Sequence, residues 1–440
     1  MARPLPARLA AALAALALCA CSHGTSDPLA GFGPNPPLPA PAKSLLPVFD
    51  VPKVVGWPAG AAPKPPPGFI VTRFAEGLNH PRWLYVLPNG DVLAAESASE
   101  PSAADTKGLR GWFARRLMKA AGAVQKSPNR IILLRDADGD GRAETRTVFT
   151  QSVKRPFGMT LVAGSLYVAG DDALARFAYQ PGQTAALGPP EKVLDLPGGP
   201  INHHWTKNVA ASPDGSKLFI TVGSNSNIGE NGMAAEEGRA AIWEYDLKSR
   251  RARVFASGLR NPNGLAWEPV TGALWTTVNE RDEIGHDLPP DYMTSVKDGG
   301  FYGWPYSYWG RHVDARVQPQ RPELVARAVT PDYGLGPHTA SLGLAFYTAG
   351  AFPPAWRGGA FVGQHGSWNR RPLNGYRVVF VPFTDGRPTL PAKVFLTGFL
   401  NADGKIQGRP VGVAIDRRGG LLVADDVGGV IWRVARSSLP

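Results

Sequence analysis

Cysteine is nearly missing from this chain. Among 440 residues there are two, Cys19 and Cys21, both inside the first apolar segment. From Ser22 onward no thiol remains, which excludes disulfides and Cys-based metal sites from the body of the protein. After that first segment there is also no apolar run long enough to cross a bilayer. Acidic residues are the scarcer charge, 36 against 47 Lys and Arg, so the formal net charge is +11. In a cytosolic protein that balance would raise nucleic acid as a partner. For an exported chain no nucleic-acid partner is expected, and an anionic lipid surface, an acidic redox partner or an anionic ligand fits better. Stability must rest on an ordinary apolar core, which a chain of this length can build.

What is present begins with export. Basic residues at Arg3 and Arg8 precede an apolar stretch that ends Leu18-Cys19-Ala20-Cys21. This reads as a signal peptide over residues 1–20. Its last four residues resemble the lipobox of bacterial lipoproteins. The resemblance implies cleavage before Cys21, acylation of that residue, and a lipid-anchored protein on the periplasmic side of the cell envelope, at the outer membrane. Residues 21–67 are rich in Pro, Gly and Ala and read as an extended, poorly ordered tether. Residues 68–440 read as the folded domain.

Within that domain one unit recurs: a short apolar strand, a turn holding Gly, Asp, Asn or Pro, and a second strand of β-branched residues. It occupies residues 81–97, 156–171, 208–224, 261–280, 341–366 and 410–425. Such turns close hairpins. The spacing exceeds the roughly 40–50 residues of standard propeller repeats, so insertions are expected between units. Six hairpin repeats predict an all-β fold, a six-bladed β-propeller with four-stranded blades around a central channel. One insertion has helical spacing: in Gly108–Val124, Leu109, Trp112, Phe113, Leu117 and Val124 share a face.

Three segments carry candidate chemistry. The first is Asn202-His203-His204-Trp205, which enters the third repeat; His204 suits a general base. The second is Arg260-Asn261-Pro262-Asn263-Gly264, where Arg260 brings a rigid, always charged fork of donors and the two Asn add neutral polar groups for an oxygen-rich anion. The third is Thr277-Val278-Asn279-Glu280-Arg281-Asp282-Glu283, followed later by Gly299-Gly300-Phe301-Tyr302-Gly303-Trp304-Pro305. Such a loop can present carbonyl oxygens to a hard cation.

Taken in order, these segments resemble the PQQ-dependent sugar dehydrogenases (PQQ, pyrroloquinoline quinone), and among them the sorbosone dehydrogenase-like branch. The resemblance covers about residues 68–436. It implies a six-bladed propeller with PQQ and Ca²⁺ as cofactors at the channel. It further implies oxidation of a sugar, sugar aldehyde or polyol by hydride transfer to PQQ. His204 would be the base and Arg260 would lie beside the reacting carbonyl. Asn261 and Asn263 would contact the cofactor, and the backbone carbonyls of Glu280 and Arg281 would bind Ca²⁺. Arg409 matches one Arg of a pair that grips the PQQ carboxylates, while the second position falls on Val411. A family Lys aligns near either His365 or Arg370. Electrons would pass to a membrane quinone or a cytochrome.

A separate run, Asp136-Ala137-Asp138-Gly139-Asp140-Gly141, resembles the start of a Ca²⁺ loop, but its twelfth position is Thr147 rather than Glu. A hairpin turn and a structural Ca²⁺ site at Asp136, Asp138 and Asp140 are both open. Two other functions compete with the dehydrogenase. One is a lactonase-type hydrolase binding Ca²⁺ through Glu96, Asn263 and Asp425. The other is a non-catalytic envelope propeller that presents loops to a partner.

Overall fold

The computed structural model describes residues 24–42, 50–100, 126–389 and 391–437. The expected helix at 108–124 and both cysteines lie outside the described residues.

Each of the six hairpin repeats forms the two inner strands of a blade. The first blade runs Pro81–Val86, Val92–Glu96, Arg130–Arg135 and Thr145–Thr150. The second runs Met159–Val162, Ser165–Ala169, Ala173–Ala178 and Glu191–Asp195; the third runs Val209–Ala211, Lys217–Val222, Ala241–Asp246 and Arg251–Ser257. The fourth has Asn261–Trp267, Leu274–Asn279, Pro290–Ser295 and Tyr333–Pro337. The fifth has Ser341–Phe346, Gly359–Gln364, Arg377–Thr384 and Lys393–Leu396. The sixth has Pro410–Ile415, Leu421–Asp425 and Val430–Arg436, and takes its outer strand, Phe69–Ala75, from the other end of the chain. That exchange closes the ring and leaves no open blade edge at the seam.

The inner strands are buried on both faces, so they read as continuous apolar runs rather than as alternation; Val92–Glu96 and Leu421–Asp425 are buried throughout. Six apolar cores sit between adjacent blades. Trp83, Phe149, Phe157 and Leu166 join the first two blades. Tyr167, Leu174, Leu218 and Tyr245 join the second and third, and Ile242, Leu265, Leu274 and Tyr292 the third and fourth. Trp275, Met293, Val362 and Val379 join the fourth and fifth, and Phe361, Phe395, Val423 and Trp432 the fifth and sixth. Leu422, Ile431, Leu84 and Val92 return to the first. No blade buries both its faces alone, so the ring is held by six equivalent contacts.

The segment expected to be a loose tether is instead packed on the propeller over its described residues. Phe32 and Gly33 add a fifth strand to the fourth blade, opposite Leu335 and Gly334. Trp57 donates Nε1–H to Asp425 at 2.6 Å and stands edge-on to Phe399 and Trp432. Val54 and Lys64 bridge to Ile406 and Thr397. Composition suggested a linker because Pro and Gly dominate, but a few aromatic anchors and one strand pairing suffice to order it. No helix among the described residues is long and apolar enough to cross a membrane.

Candidate active site

Antiparallel pairing decides which loops share a rim. Pro81 faces Glu96, Asn261 faces Asn279, Ser341 faces Gln364 and Pro410 faces Asp425. Residues entering each inner strand therefore meet those leaving the next strand at one end of the channel. Two polar clusters form there.

The first is built on Arg260. Its Nη1 donates to the Glu280 carbonyl at 2.6 Å, its Nε to the Asn227 carbonyl at 3.1 Å, and its Nη2 to Asn227 Oδ1 and Asp282 Oδ2 at 2.9 and 3.2 Å. Asp282 also accepts from Asn369 at 2.7 Å and faces His338 Nδ1 at 3.4 Å. Burial alone would raise the Asp282 pKa, but Arg260, His338 and Asn369 hold it far below the usual carboxylate range. Burial also works against a charged His338, and Asp282 outweighs it, so that imidazole is raised.

His204 adjoins this cluster. Its Nδ1 lies 2.9 Å from the Ser224 carbonyl, an acceptor only, so Nδ1 carries the proton and Nε2 the lone pair. The Ser224 hydroxyl, also 2.9 Å from Nδ1, spends its own proton on the Ser226 carbonyl. Burial first, then the Arg260 charge, pushes His204 well below its ordinary pKa, which keeps the ring a neutral base. The fit is tight at Gly223, where an added Cβ would stand 2.4 Å from His204 Cβ and 2.7 Å from Asn261 Oδ1.

The second cluster joins three blades. Arg82 Nη1 and His365 Nε2 both contact Asp426 Oδ2, at 2.7 and 2.9 Å. Arg409 donates to the carbonyls of His365 and Gly366, at 2.9 and 2.7 Å. His365 is drawn down to about 3 by burial and by Arg409, so it is neutral and donates to Asp426. Two guanidinium groups against one carboxylate leave this cluster cationic. Trp205 lies under Arg82 of this cluster at 5.8 Å and under Arg155 at 5.3 Å, and is joined to the first cluster through its chain neighbour His204.

The structure thus gathers His204, Arg260, Asn261, His365 and Arg409 at one rim. Other expected residues are committed elsewhere. Asn263 spends its side chain on Thr206 and on the Asn261 carbonyl, within the packing of adjacent blades, and does not face the rim. Arg370 is buried on Asp287 and the carbonyls of His286, Pro372 and Thr25, where it binds the N-terminal segment beside the rim; of the two alternatives, His365 is the one that joins the Arg82–Arg409 cluster. The Glu280 carbonyl expected to bind Ca²⁺ accepts from Arg260. The Arg281 side chain is wholly buried on Glu280, Asp314 and the carbonyls of Pro305 and Ser307. Val411 is fully buried, with its carbonyl packed where Gly343 and Gly363 lack side chains. The hydrolase ligand set does not assemble: Glu96 pairs with Arg130 and the Asn79 amide, and Asp425 with Trp57, Trp432 and two backbone amides. Asp136, Asp138 and Asp140 lie in a hairpin turn with Glu144, their oxygens within 4.8 Å of one another, and they accept from the turn's own backbone amides.

Sequence reasoning missed Arg82, Asn227, Asp282, His338 and Asp426. A signal for Arg82 existed. Pro81-Arg82, Arg155-Pro156, Arg260-Asn261-Pro262 and Arg409-Pro410 place Arg beside Pro where four inner strands begin. Three buried polar atoms near this rim have no protein partner among the described residues: Arg82 Nε, Arg155 Nε and Asn261 Oδ1. Buried groups of this kind call for a ligand or water.

Comparison with known proteins follows this geometry. A family profile described as "Glucose / Sorbosone dehydrogenase" matches residues 244–369. One described as "TrAA12-like" matches 125–297 and 323–437, well over half of the chain. A pyrroloquinoline quinone-dependent pyranose dehydrogenase of Coprinopsis cinerea is 26% identical over 85% of this chain and 54% of its own length. An uncharacterized protein of Borreliella burgdorferi is 28% identical over 54% of this chain and 62% of its own. The chain thus spans about half to three fifths of the length of these curated relatives. Among solved structures, a family AA12 carbohydrate-active enzyme of Trichoderma reesei superposes with TM-score 0.69 at 19% identity, covering 86% of this chain and 98% of that one. The holo PQQ domain of the Coprinopsis cinerea pyranose dehydrogenase gives 0.67 at 23% identity, covering 86% and 98%. These superpositions show the propeller fold. The TrAA12-like profile, matched over more than half of the sequence, means that the chain belongs to the TrAA12-like family.

Proposed function

We propose that this protein is a PQQ-dependent dehydrogenase that oxidises a sugar, sugar aldehyde or polyol at the rim described above. One observation carries the reading: a neutral imidazole with its Nε2 lone pair available stands beside Arg260, across Trp205 from a cationic cluster of Arg82 and Arg409. PQQ is a tricarboxylate, and the residues present fit it. Arg82 and Arg409 would meet its carboxylates, Arg82 replacing the clamp position lost at Val411. The partnerless Arg82 Nε and Asn261 Oδ1 are available to it. When bound, PQQ supplies the two-electron acceptor that no side chain can provide.

The chain's own residues do the rest. His204 Nε2 takes the proton of the substrate hydroxyl, while the Ser224 carbonyl holds the ring's orientation. Arg260, fixed by Asn227 and Asp282, keeps its positive charge where negative charge develops. Calcium would be held by the carbonyls of Glu280 and Arg281, the Glu280 oxygen using the lone pair that does not accept from Arg260. Acylation of Cys21 would anchor the protein on the periplasmic side of the envelope, with a membrane quinone or cytochrome as electron acceptor.

Reconstitution tests this reading. Purified protein titrated with PQQ and Ca²⁺ is expected to bind quinone, read by visible absorbance, and to reduce a dye with some member of a broad sugar and alcohol panel. Absence of both signals overturns it.

A further inference from the structure

The N-terminal segment ends its described course at the rim itself. Gly24 N donates to the Arg371 carbonyl at 2.6 Å, and Thr25 N to Asp287 Oδ2 at 2.9 Å. Arg370, 2% exposed, grips both the Thr25 carbonyl and Asp287, at 2.7 and 2.6 Å. The preceding residue, Asn369, donates to Asp282 at 2.7 Å, and Asp282 pairs with Arg260. Farther along, Phe32 and Gly33 are locked into the fourth blade. The segment is therefore pinned beside the Arg260 cluster.

Covalent geometry limits what can follow. Three residue steps separate Cys21 from Gly24, which reach at most about 11 Å. An acyl group on Cys21 cannot be carried to the far end of the propeller. Loops joined to this cluster expose apolar side chains suited to an interfacial position: Met233 at 47%, in the loop that follows Lys217–Val222; Val313 at 50%, next to Asp314, which pairs with Arg281; and Trp368 at 37%, next to Asn369. Arg311, at the exposed tip beside Val313, adds a positive charge.

We propose that the chain docks on a lipid surface rim first, with the mouth of its channel turned toward the bilayer. This rests on acylation of Cys21. Its consequence is that electrons leave the site next to the membrane instead of across the diameter of the propeller.

Single-cysteine probes test the orientation, because the body has no thiol of its own. Acylated full-length protein carrying Met233→Cys, Val313→Cys or, at the opposite end, Val270→Cys is labelled with bimane. It is then bound to phosphatidylcholine–phosphatidylglycerol vesicles that bear a nitroxide on the headgroup. Quenching is expected to be several-fold greater at positions 233 and 313 than at 270. Equal quenching, or stronger quenching at 270, overturns the orientation. A flexible insert of about twenty Gly and Ser residues between Ser22 and His23 is expected to erase the difference; persistence of the difference overturns the pin as its cause. The mass of the N-terminal peptide separates the two readings. A Cys21 without acyl chains removes the anchor, and the proposal with it, whereas an acylated Cys21 with reversed quenching removes the orientation alone.

Discussion

Arg82 and Asp426 are 344 residues apart in sequence and form an ion pair of 2.7 Å across the seam where the ring closes. The same Asp426 oxygen accepts from His365, so three blades converge on one carboxylate. The pairing holds Arg82 beside Arg409, whose charge contributes, after burial, to lowering the Arg82 pKa. Arg82→Gln is expected to weaken PQQ binding by about ten- to a hundredfold, the range for losing a hydrogen bond to a charged group. Titration followed by visible absorbance measures this; an unchanged affinity would remove Arg82 from the clamp.

His204→Ala should lower kcat by about 10²- to 10⁴-fold with little change in PQQ affinity, since the base acts on the substrate proton. The pH profile adds a second check. Only the neutral ring is a base, and its pKa is depressed by burial and by Arg260. Activity should therefore hold as pH falls through 6.5, where an ordinary His would protonate. A steep loss near 6.5 would mean that the base behaves as an ordinary imidazole or that another group controls the acidic limb.

The N-terminal segment packed on the propeller makes a separate prediction about stability. Trp57→Phe keeps the aromatic contacts with Phe399 and Trp432 but takes one N–H from the buried Asp425 carboxylate. A loss of about 1–3 kcal/mol is expected on denaturant unfolding. Unfolding at the wild-type midpoint would mean that this hydrogen bond contributes nothing to stability.

Lys207 is fully buried, with its ammonium on the carbonyls of Asp171 and Trp205 at 2.6 and 3.3 Å. Burial lowers its pKa from 10.5 to about 7. Between those values the unfolded chain binds more protons than the folded one, so stability from this group rises with pH across that window and is lowest below it. Lys207→Met should flatten the rise. Unfolding curves at about pH 7 and about pH 10 compare the two slopes, and parallel slopes would show that the lysine keeps its proton in the fold.

The hairpin repeats were legible because strands and turns are local: Val, Ile and Leu runs bracketed by Pro-Asn-Gly, Ala-Gly or Pro-Asp-Gly declare themselves within about twenty residues. The places of Arg260 and Arg409, one residue ahead of an inner strand, and of His204 in the segment leading into another, were legible for a related reason. The register of a hairpin fixes which of its residues reach the rim, and that register is written in adjacent residues.

Partnerships across the ring were not legible. Nothing near Arg82 announces Asp426, nothing near Arg370 announces Thr25, and only the fold shows that Arg260 takes the Glu280 carbonyl. Composition also misjudged residues 24–42 and 50–67, because Pro and Gly content reports backbone preference and not whether Phe32 and Trp57 find a surface to bury against. The sequence by itself determined the six blades and the residues that open them, through patterns shorter than one hairpin. Tertiary structure decided which charges neutralise one another, which stay in surplus at the mouth and where the chain's leading segment is fastened, because those contacts exist only once the ring is closed.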